Sequence, residues 1–252
     1  MPVKCLLMAC DYANKDCELR GCQNDARNLA EAIEKSGAAK RADITMLMEP
    51  TLAQIRSAIK GLVDSTKGGD IGNVFISWSG HGMGVPDANG DEIDHQDECL
   101  CPSDFAINGV LKDDELGKLI SQVHPSTKVS LLFDCCHSGT IIDLPWRYKS
   151  LRETELATNS KAVWHPRVVS ISGCKDDQTS ADAYDAAHHQ YAGAMTRAAL
   201  DVITQEPSLL SDAPAMVMAM RILLRERGMS QIPQLCSSRA ANEDLDRRFF
   251  DV

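Results

Sequence analysis

Two short stretches hold the residue types that acyl-transfer chemistry needs. VSLLFDCCHSGT, residues 129–140, sets an apolar run against Asp134, Cys135, Cys136 and His137, followed by a small-residue turn. SWSGHGMG, residues 77–84, ends another apolar run in Ser79, Gly80, His81 and Gly82. A thiol attacks a carbonyl only as thiolate, and a free cysteine is mostly protonated at neutral pH. An imidazole can take that proton and later give it to the leaving amine. Glycines at 82 and 139 leave backbone N–H groups accessible beside both side chains. Such donors, aimed at a developing oxyanion, contribute about 3–4 kcal/mol. Taken singly, a strand-end cysteine is more often a small buried hydrophobe, and a strand-end histidine more often a core or surface residue. Both turns occurring in one chain favour the chemical reading. Other thiol chemistries fit poorly. A phosphatase loop needs Arg six positions after the cysteine, where Ile142 stands, and no CxxC pair exists for thioredoxin-type exchange or structural zinc.

The elements that must position these residues follow from hydrophobic periodicity. Apolar runs at 3–10, 43–48, 73–79, 128–135, 167–173 and 232–237 read as about six core strands. Several are continuously apolar, as strands buried on both faces of a parallel sheet must be. Helical stripes alternate with them: Ala26, Leu29, Ala30, Ile33; Leu52, Ile55, Ile59, Leu62 behind Pro50 and a Thr51 N-cap; Leu116, Leu119, Ile120, Val123. Residues 189–204 and 211–228 predict two more helices, the second opening at Ser211-Asp212 and closing at Gly228. Alternating strands and helices imply an α/β fold, a mostly parallel sheet with helices on both faces. In such sheets ligands bind beyond the carboxyl ends of the strands. Here those ends read Cys10-Asp11, Ser79-Gly80-His81-Gly82, Asp134-Cys135-Cys136-His137 and Cys174-Lys175-Asp176. The least regular parts are 82–110 and 144–166, the second read as an exposed basic connection with Arg147, Lys149, Arg152, Lys161 and the adjoining Arg167.

At 252 residues the chain has the length of one large domain or two small ones, enough for a full core. A net charge of −10 argues against nucleic acid or an anionic membrane as partner, and is compatible with basic peptides or divalent cations. No window of about 20 apolar residues predicts a membrane span. The apolar start of the chain is too short for a signal peptide and reads as a first strand. Ten scattered cysteines predict a reducing, cytoplasmic setting with most thiols buried.

The residues also match a family. SWSGHGMG and LLFDCCHSGTIIDLP resemble the two catalytic signatures of metacaspases, the caspase relatives of plants, fungi and protists. LRGCQNDARNLAEAI (19–33), VSISGCKDDQTSAD (169–182) and IPQLCSS (232–238) resemble further family segments in family order, from about residue 3 to residue 240. The short connection at 144–166 is similar to type I members, although their Pro/Gln-rich N-terminal extension is missing. The resemblance implies a caspase-like fold in one peptidase domain, 1–252: a large-subunit-like part (1–143), the connection (144–166) and a small-subunit-like part (167–252). It implies Cys136 as nucleophile, His81 as general base and acid, and the Gly82 and Cys136 N–H groups as oxyanion donors. His137 is then not the base, and Cys135 stays a packing residue. Asp25 and Asp134 match the carboxylates of the primary specificity pocket, with Cys22 and Ser79 beside them. Two carboxylates suit a cationic side chain, and Arg can pair with them in forked geometry. Cleavage after Arg or Lys is therefore expected.

The resemblance further implies a low-affinity, activating Ca²⁺ held by Asp97, Asp113, Asp114 and Asp143. Without it, Asp113-Asp114 reads as an acidic helix start favoured by the macrodipole. Arg147, Lys149, Arg152 and Lys161 are candidate self-cleavage sites, and a monomer is implied. Family membership associates the chain with stress response or programmed cell death. Two rivals are a catalytically silent relative acting as a binding or scaffold protein, and a caspase that cuts after Asp. Trp78 stands where the family usually has Tyr, and Cys99-x-Cys101 has no account at this level.

Overall fold

The computed structural model describes residues 1–86, 96–135, 141–158, 162–173, 182–185, 190–244 and 246–250, with 182–185 and 190 as backbone only. Among them the strands are β1 (Val3–Ala9), β2 (Ile44–Met48), β3 (Asn73–Ser79), β4 (Gly82–Pro86), β5 (Gln96–Leu100), β6 (Leu111–Lys112), β7 (Lys128–Asp134), β8 (Trp146–Tyr148), β9 (Thr154–Leu156), β10 (Val168–Ser172), β11 (Asp182–Asp185), β12 (Gln190–Gly193) and β13 (Gln234–Ser237). The helices are α1 (Cys22–Ser36), α2 (Leu52–Ser65), α3 (Phe105–Asn108), α4 (Asp113–Ile120), α5 (Ala194–Gln205) and α6 (Ala213–Glu226).

The six expected core strands form one sheet in the order β2-β1-β3-β7-β10-β13, extended by β8 and β9 to eight strands. Pairing is parallel from β2 through β10 and antiparallel from β10 to β9. Every residue of β3 and β10 is buried, which accounts for their largely apolar pattern, broken only by small or hydrogen-bonding residues such as Asn73, Ser77 and Ser170. Helices cover both faces. One layer packs α1, α5 and α6 on Leu7, Phe75 and Ile171; the other packs α2 and α4 on Leu6, Ile76 and Leu131.

Helix starts follow local chemistry. Thr51 and Gln54 make a reciprocal capping box at α2. Asp212 accepts from Ala215 N–H at the start of α6, and Gly228 follows the helix at φ 70°. Helix α1 differs, because its N-cap is Gly21, which has no side chain to offer. Asp11, at the end of β1, supplies the cap: its Oδ1 accepts from Cys22 N–H (2.8 Å) and Gln23 N–H (3.3 Å). The strand end thereby fixes the entry of the helix that carries Asp25.

Four expectations are revised. The sheet has eight strands rather than about six, because 144–166 is not simply an exposed connection. Its residues Trp146–Tyr148 and Thr154–Leu156 pair as a hairpin, and β8 lies against β13. The alternation there is too short to stand out from its charged neighbours. Arg167 is buried and pairs with Asp244 at 2.7 Å. The irregular 82–110 stretch contains β4 and β5, which pair antiparallel and continue to β6 just beyond it. The helix expected from 189 begins at Ala194, since Gln190–Gly193 pairs with β11.

Past residue 243 the chain returns to the sheet. Phe249 and Phe250 are buried against Phe75, with ring centroids 5.9 and 4.9 Å away. The Phe249 carbonyl accepts from Asn73 Nδ2 (3.2 Å) and from the Ser130 hydroxyl.

Candidate active site

The parallel strands β1, β3 and β7 end level with one another: Ala9 lies beside Ser79, and Ser79 beside Asp134. Two backbone bonds extend this register, Cys10 N–H to Ser79 O (3.0 Å) and Gly80 N–H to Asp134 O (3.4 Å). The sheet therefore brings the expected residues to one edge. His81 follows β3 after Gly80 and is half-buried. Its N–H donates to Tyr12 Oη (2.8 Å), and Tyr12 Oη donates to the Cys101 carbonyl (2.6 Å). The His81 carbonyl accepts from Cys101 N–H (3.1 Å) and Trp78 Nε1–H (3.2 Å). The imidazole packs on the Tyr12 ring at 4.7 Å. Its Nε2 lies 2.7 Å from the Cys17 carbonyl oxygen. A carbonyl only accepts, so Nε2 holds the proton and neutral His81 presents Nδ1 as its basic atom.

Tyr12, Cys17 and Glu49 were not legible as site residues. Tyr12 sits at φ 54° and Glu49 at φ 51°, uncommon for non-glycine residues. Glu49 holds the loop after β1: its carboxylate accepts from Asp11 N–H (2.7 Å), Tyr12 N–H (3.2 Å), Cys10 Sγ (3.2 Å) and Gln23 Nε2 (2.9 Å). Burial pushes the Tyr12 phenol far above its ordinary range, so it remains a donor at any working pH. The density of cysteine at 99 and 101 now has a structural account. Both are buried. Burial pushes the Cys99 thiol up to about 12, while Cys101 serves His81 and Tyr12 through its backbone. Trp78 is fully buried and braces the His81 carbonyl. Gly82 opens β4 opposite Leu100. Cys136, His137 and Gly139 lie outside the described residues; Cys135 before them is buried, as a packing cysteine would be.

Asp25 and Asp134, buried to 1% and 5% exposure, meet at the junction of β12 and α5. Gly193 N–H lies 3.2 and 3.1 Å from the two carboxylate oxygens of Asp25. Thr196 N–H donates to Asp134 Oδ2 (2.8 Å). Asp134 thus caps α5 from another strand, as Asp11 caps α1. Cys22 begins the helix that carries Asp25, Ser79 lies beside Asp134 in the sheet, and both are buried.

The four other aspartates gather around β5, the start of α4 and the 141–143 turn. Asp113 Oδ2 accepts from Glu98 N–H (2.6 Å), and Oδ1 from Asp114 N–H (2.7 Å). Burial first, and the charge of Asp143 second, push the Asp113 carboxyl up to about 7. Ile142 and Asp143 take successive left-handed conformations, φ 76° and 53°. Asp97 is buried with its carboxylate on Lys112 Nζ (2.5 Å). Asp113 and Asp114 also begin α4, where the macrodipole favours them. Among the described residues no three His, Cys, Asp or Glu side chains form a ready ligand set. Asp113 and Asp143, buried near each other, are the carboxylates whose repulsion a hard divalent cation would offset, while Asp114 is partly exposed and paired with Lys118 Nζ at 3.4 Å. Lys112 is the cation now on Asp97.

Comparison with known proteins follows this geometry. The Caspase domain family model matches residues 3–243. The chain is 30% identical over 270 residues to metacaspase-2 of Trypanosoma brucei brucei, covering 98% of this chain and 76% of that protein. The chain belongs to the metacaspases, within the caspase-domain family. Metacaspase-1 of Yarrowia lipolytica is 32% identical, with 96% of this chain and 63% of that protein covered. Metacaspase-2 of Arabidopsis thaliana is 36% identical, with 79% and 51% covered. This metacaspase therefore spans between about half and three quarters of the length of these relatives. Its fold is shared with the crystal structure of a Geobacter sulfurreducens protein, at TM-score 0.66, 24% identity and 94% coverage of each chain.

The self-cleavage candidates of this metacaspase fall in different settings. Arg147 lies within β8, opposite Cys236 and Glu155, and its guanidinium bonds Glu155 at 2.6 Å. Lys149 and Arg152 are exposed in the turn of the β8–β9 hairpin, Lys149 also 3.5 Å from Glu155. Lys161 lies outside the described residues.

Proposed function

We propose that this metacaspase is a calcium-dependent cysteine endopeptidase cleaving after Arg or Lys. One observation carries the reading: two buried carboxylates, Asp25 and Asp134, converge at the strand edge from which His81 projects. A substrate cation seated there would offset their charge and pair with them through forked hydrogen bonds. A pocket for Asp would need the opposite charge.

Cys136, the assigned nucleophile, follows Asp134 by two residues in the sequence. His81 Nδ1 takes the Cys136 thiol proton as sulfur attacks the carbonyl carbon. The resulting oxyanion is assigned to the Gly82 and Cys136 N–H groups. The imidazolium then protonates the leaving amine, and the C–N bond breaks to give an acyl-enzyme. His81 next takes a proton from water, and hydroxide addition releases the acid and the thiol. The Cys17 carbonyl holds the imidazole in the tautomer this sequence needs, and Tyr12 fixes its backbone.

Asp97, Asp113, Asp114 and Asp143 would hold the Ca²⁺. When bound, it would supply the positive charge that lets Asp113 and Asp143 ionise side by side. Other parts of the reading have partial support. Flanking of β13 by β10 and β8 favours a monomer, since β13 is not a free edge among the described residues. The ten cysteines are scattered along a chain too long for a disulfide scaffold, which suits a cytoplasmic setting. No helix among the described residues is long and apolar enough to cross a membrane. The partners are basic peptide segments rather than nucleic acid, in keeping with the net charge of −10.

The test is a scan of fluorogenic peptides differing at the residue before the cut, run with Ca²⁺ and with chelator, on wild type and Cys136→Ala. Turnover of Arg and Lys peptides that needs both Ca²⁺ and Cys136 is expected. Preference for Asp, or turnover unchanged by chelator, would overturn the corresponding part. No turnover by wild type would favour a silent binding or scaffold protein.

A further inference from the structure

We infer that Gly193 is a positioning residue for substrate recognition: its bare backbone lets Asp25 and Asp134 converge into one cation-binding pair. The inference rests on the proposed Arg/Lys specificity and adds a residue to it. Gly193 has φ −66° and ψ 131°, extended backbone that alanine adopts without strain. Glycine is therefore not needed there for its conformation. It is needed for space. A Cβ at 193 would overlap Asp134 Oδ2 and stand 2.9 Å from both Asp134 Cγ and Asp25 Oδ2. The nearest obstacles are thus the two carboxylates assigned to the substrate cation.

Gly193 does more than make room. Its N–H lies 3.2 and 3.1 Å from the Asp25 oxygens, while Thr196, three residues on, donates to Asp134 Oδ2 at 2.8 Å. The β12–α5 junction therefore grips both carboxylates from one side, with the positive end of the α5 dipole behind them. A buried carboxylate without such donors is driven toward its neutral form. A neutral acid would lose most of its attraction for a guanidinium. The Gly193 and Thr196 N–H groups favour the charged carboxylates and fix their aim. A methyl at 193 would displace both carboxylates. It would leave the His81, Tyr12 and Cys17 contacts in place.

The expected signature is a KM effect. Gly193→Ala should raise KM for an Arg peptide by about tenfold or more while kcat stays within about threefold, the pattern of lost substrate binding with intact chemistry. A matched citrulline peptide, which keeps the shape but not the charge, should lose far less. Wild type that does not prefer Arg over citrulline would sink the specificity reading itself. Wild type with that preference, and Gly193→Ala with unchanged KM or with an equal loss on both peptides, would overturn only the present inference. Stability provides a second arm that does not need an active variant. Melting temperatures of Gly193→Ala are compared in wild-type and Asp134→Ala backgrounds, a double-mutant cycle. The penalty of the methyl should shrink in the Asp134→Ala background, where the nearest obstacle is gone. An equal penalty in both, or failure of both alanine-193 proteins to fold, would mean that the methyl acts elsewhere.

Discussion

Tyr12 Oη stands between His81 N–H, 2.8 Å away, and the Cys101 carbonyl, 2.6 Å away, and satisfies both. One phenol therefore ties the end of β1 to the backbone of His81 and to the end of β5. The arrangement has a direct consequence. Tyr12→Phe keeps the ring against the imidazole but leaves a buried donor and acceptor unmet, at a cost of about 1–3 kcal/mol. It should lower kcat by about tenfold with little change in KM, because it misplaces the base rather than the pocket. Steady-state kinetics and urea melts check both effects; an unchanged kcat would show that the brace does not govern His81.

The Cys17 carbonyl, not its thiol, orients His81. Cys17→Ala should keep the peptidase rate within about twofold, whereas His81→Ala should lose at least about 10³-fold, as expected for removal of a base on which the nucleophile depends. Initial rates on one Arg peptide compare them. A large loss in Cys17→Ala would place the thiol itself in the chemistry.

Asp25 and Asp134 differ in their structural duties. Asp134 caps α5, so Asp134→Ala should cost about 1 kcal/mol of stability besides raising KM. Asp134→Asn retains an oxygen acceptor for Thr196 N–H. It should recover much of the stability while KM for Arg peptides stays high. Thermal melts paired with KM measurements separate the two roles.

Self-cleavage, if it occurs in the 144–158 segment, should fall in the hairpin turn. A protease must take its substrate extended, and Arg147 is locked into β8 between β13 and β9. Arg152→Gln should remove a fragment that Arg147→Gln does not, as read by intact mass after incubation with Ca²⁺. Cleavage persisting unchanged in Arg152→Gln/Lys149→Gln would move the site elsewhere.

The C-terminal return of the chain carries a pH-dependent clasp. Arg248, and then Lys128 at 2.5 Å, hold the Asp246 carboxyl well below the usual carboxylate range. A depressed folded-state pKa stabilises above the unfolded value near 4 and is lost as pH falls through the folded one. Asp246→Asn should thus cost up to about 1 kcal/mol at pH 7 and progressively less below pH 4. Phe249→Ala, at a fully buried ring, should cost about 3–5 kcal/mol at any pH. Denaturant melts at pH 3.5 and 7 distinguish the two.

The sequence by itself determined the six central strands, the helices on both faces, and the strand ends that carry His81 and Asp134. These are matters of local pattern: a strand buried on both faces is apolar along most of its length, and chemistry-bearing residues then stand out where the apolar run stops. Motif resemblance added Asp25 and the four acidic residues. Only the tertiary structure decided how these groups are held. Asp11 caps α1 and Asp134 caps α5 from distant strands, Tyr12 links β1 to His81, and Gly193 leaves space for two carboxylates. Each joins chain segments tens of residues apart or more, through hydrogen bonds set by sheet register and helix docking. The β8–β9 hairpin was hidden for a related reason. Its strands of three residues are too short for their alternation to show, and what makes them strands is the β13 edge they cover.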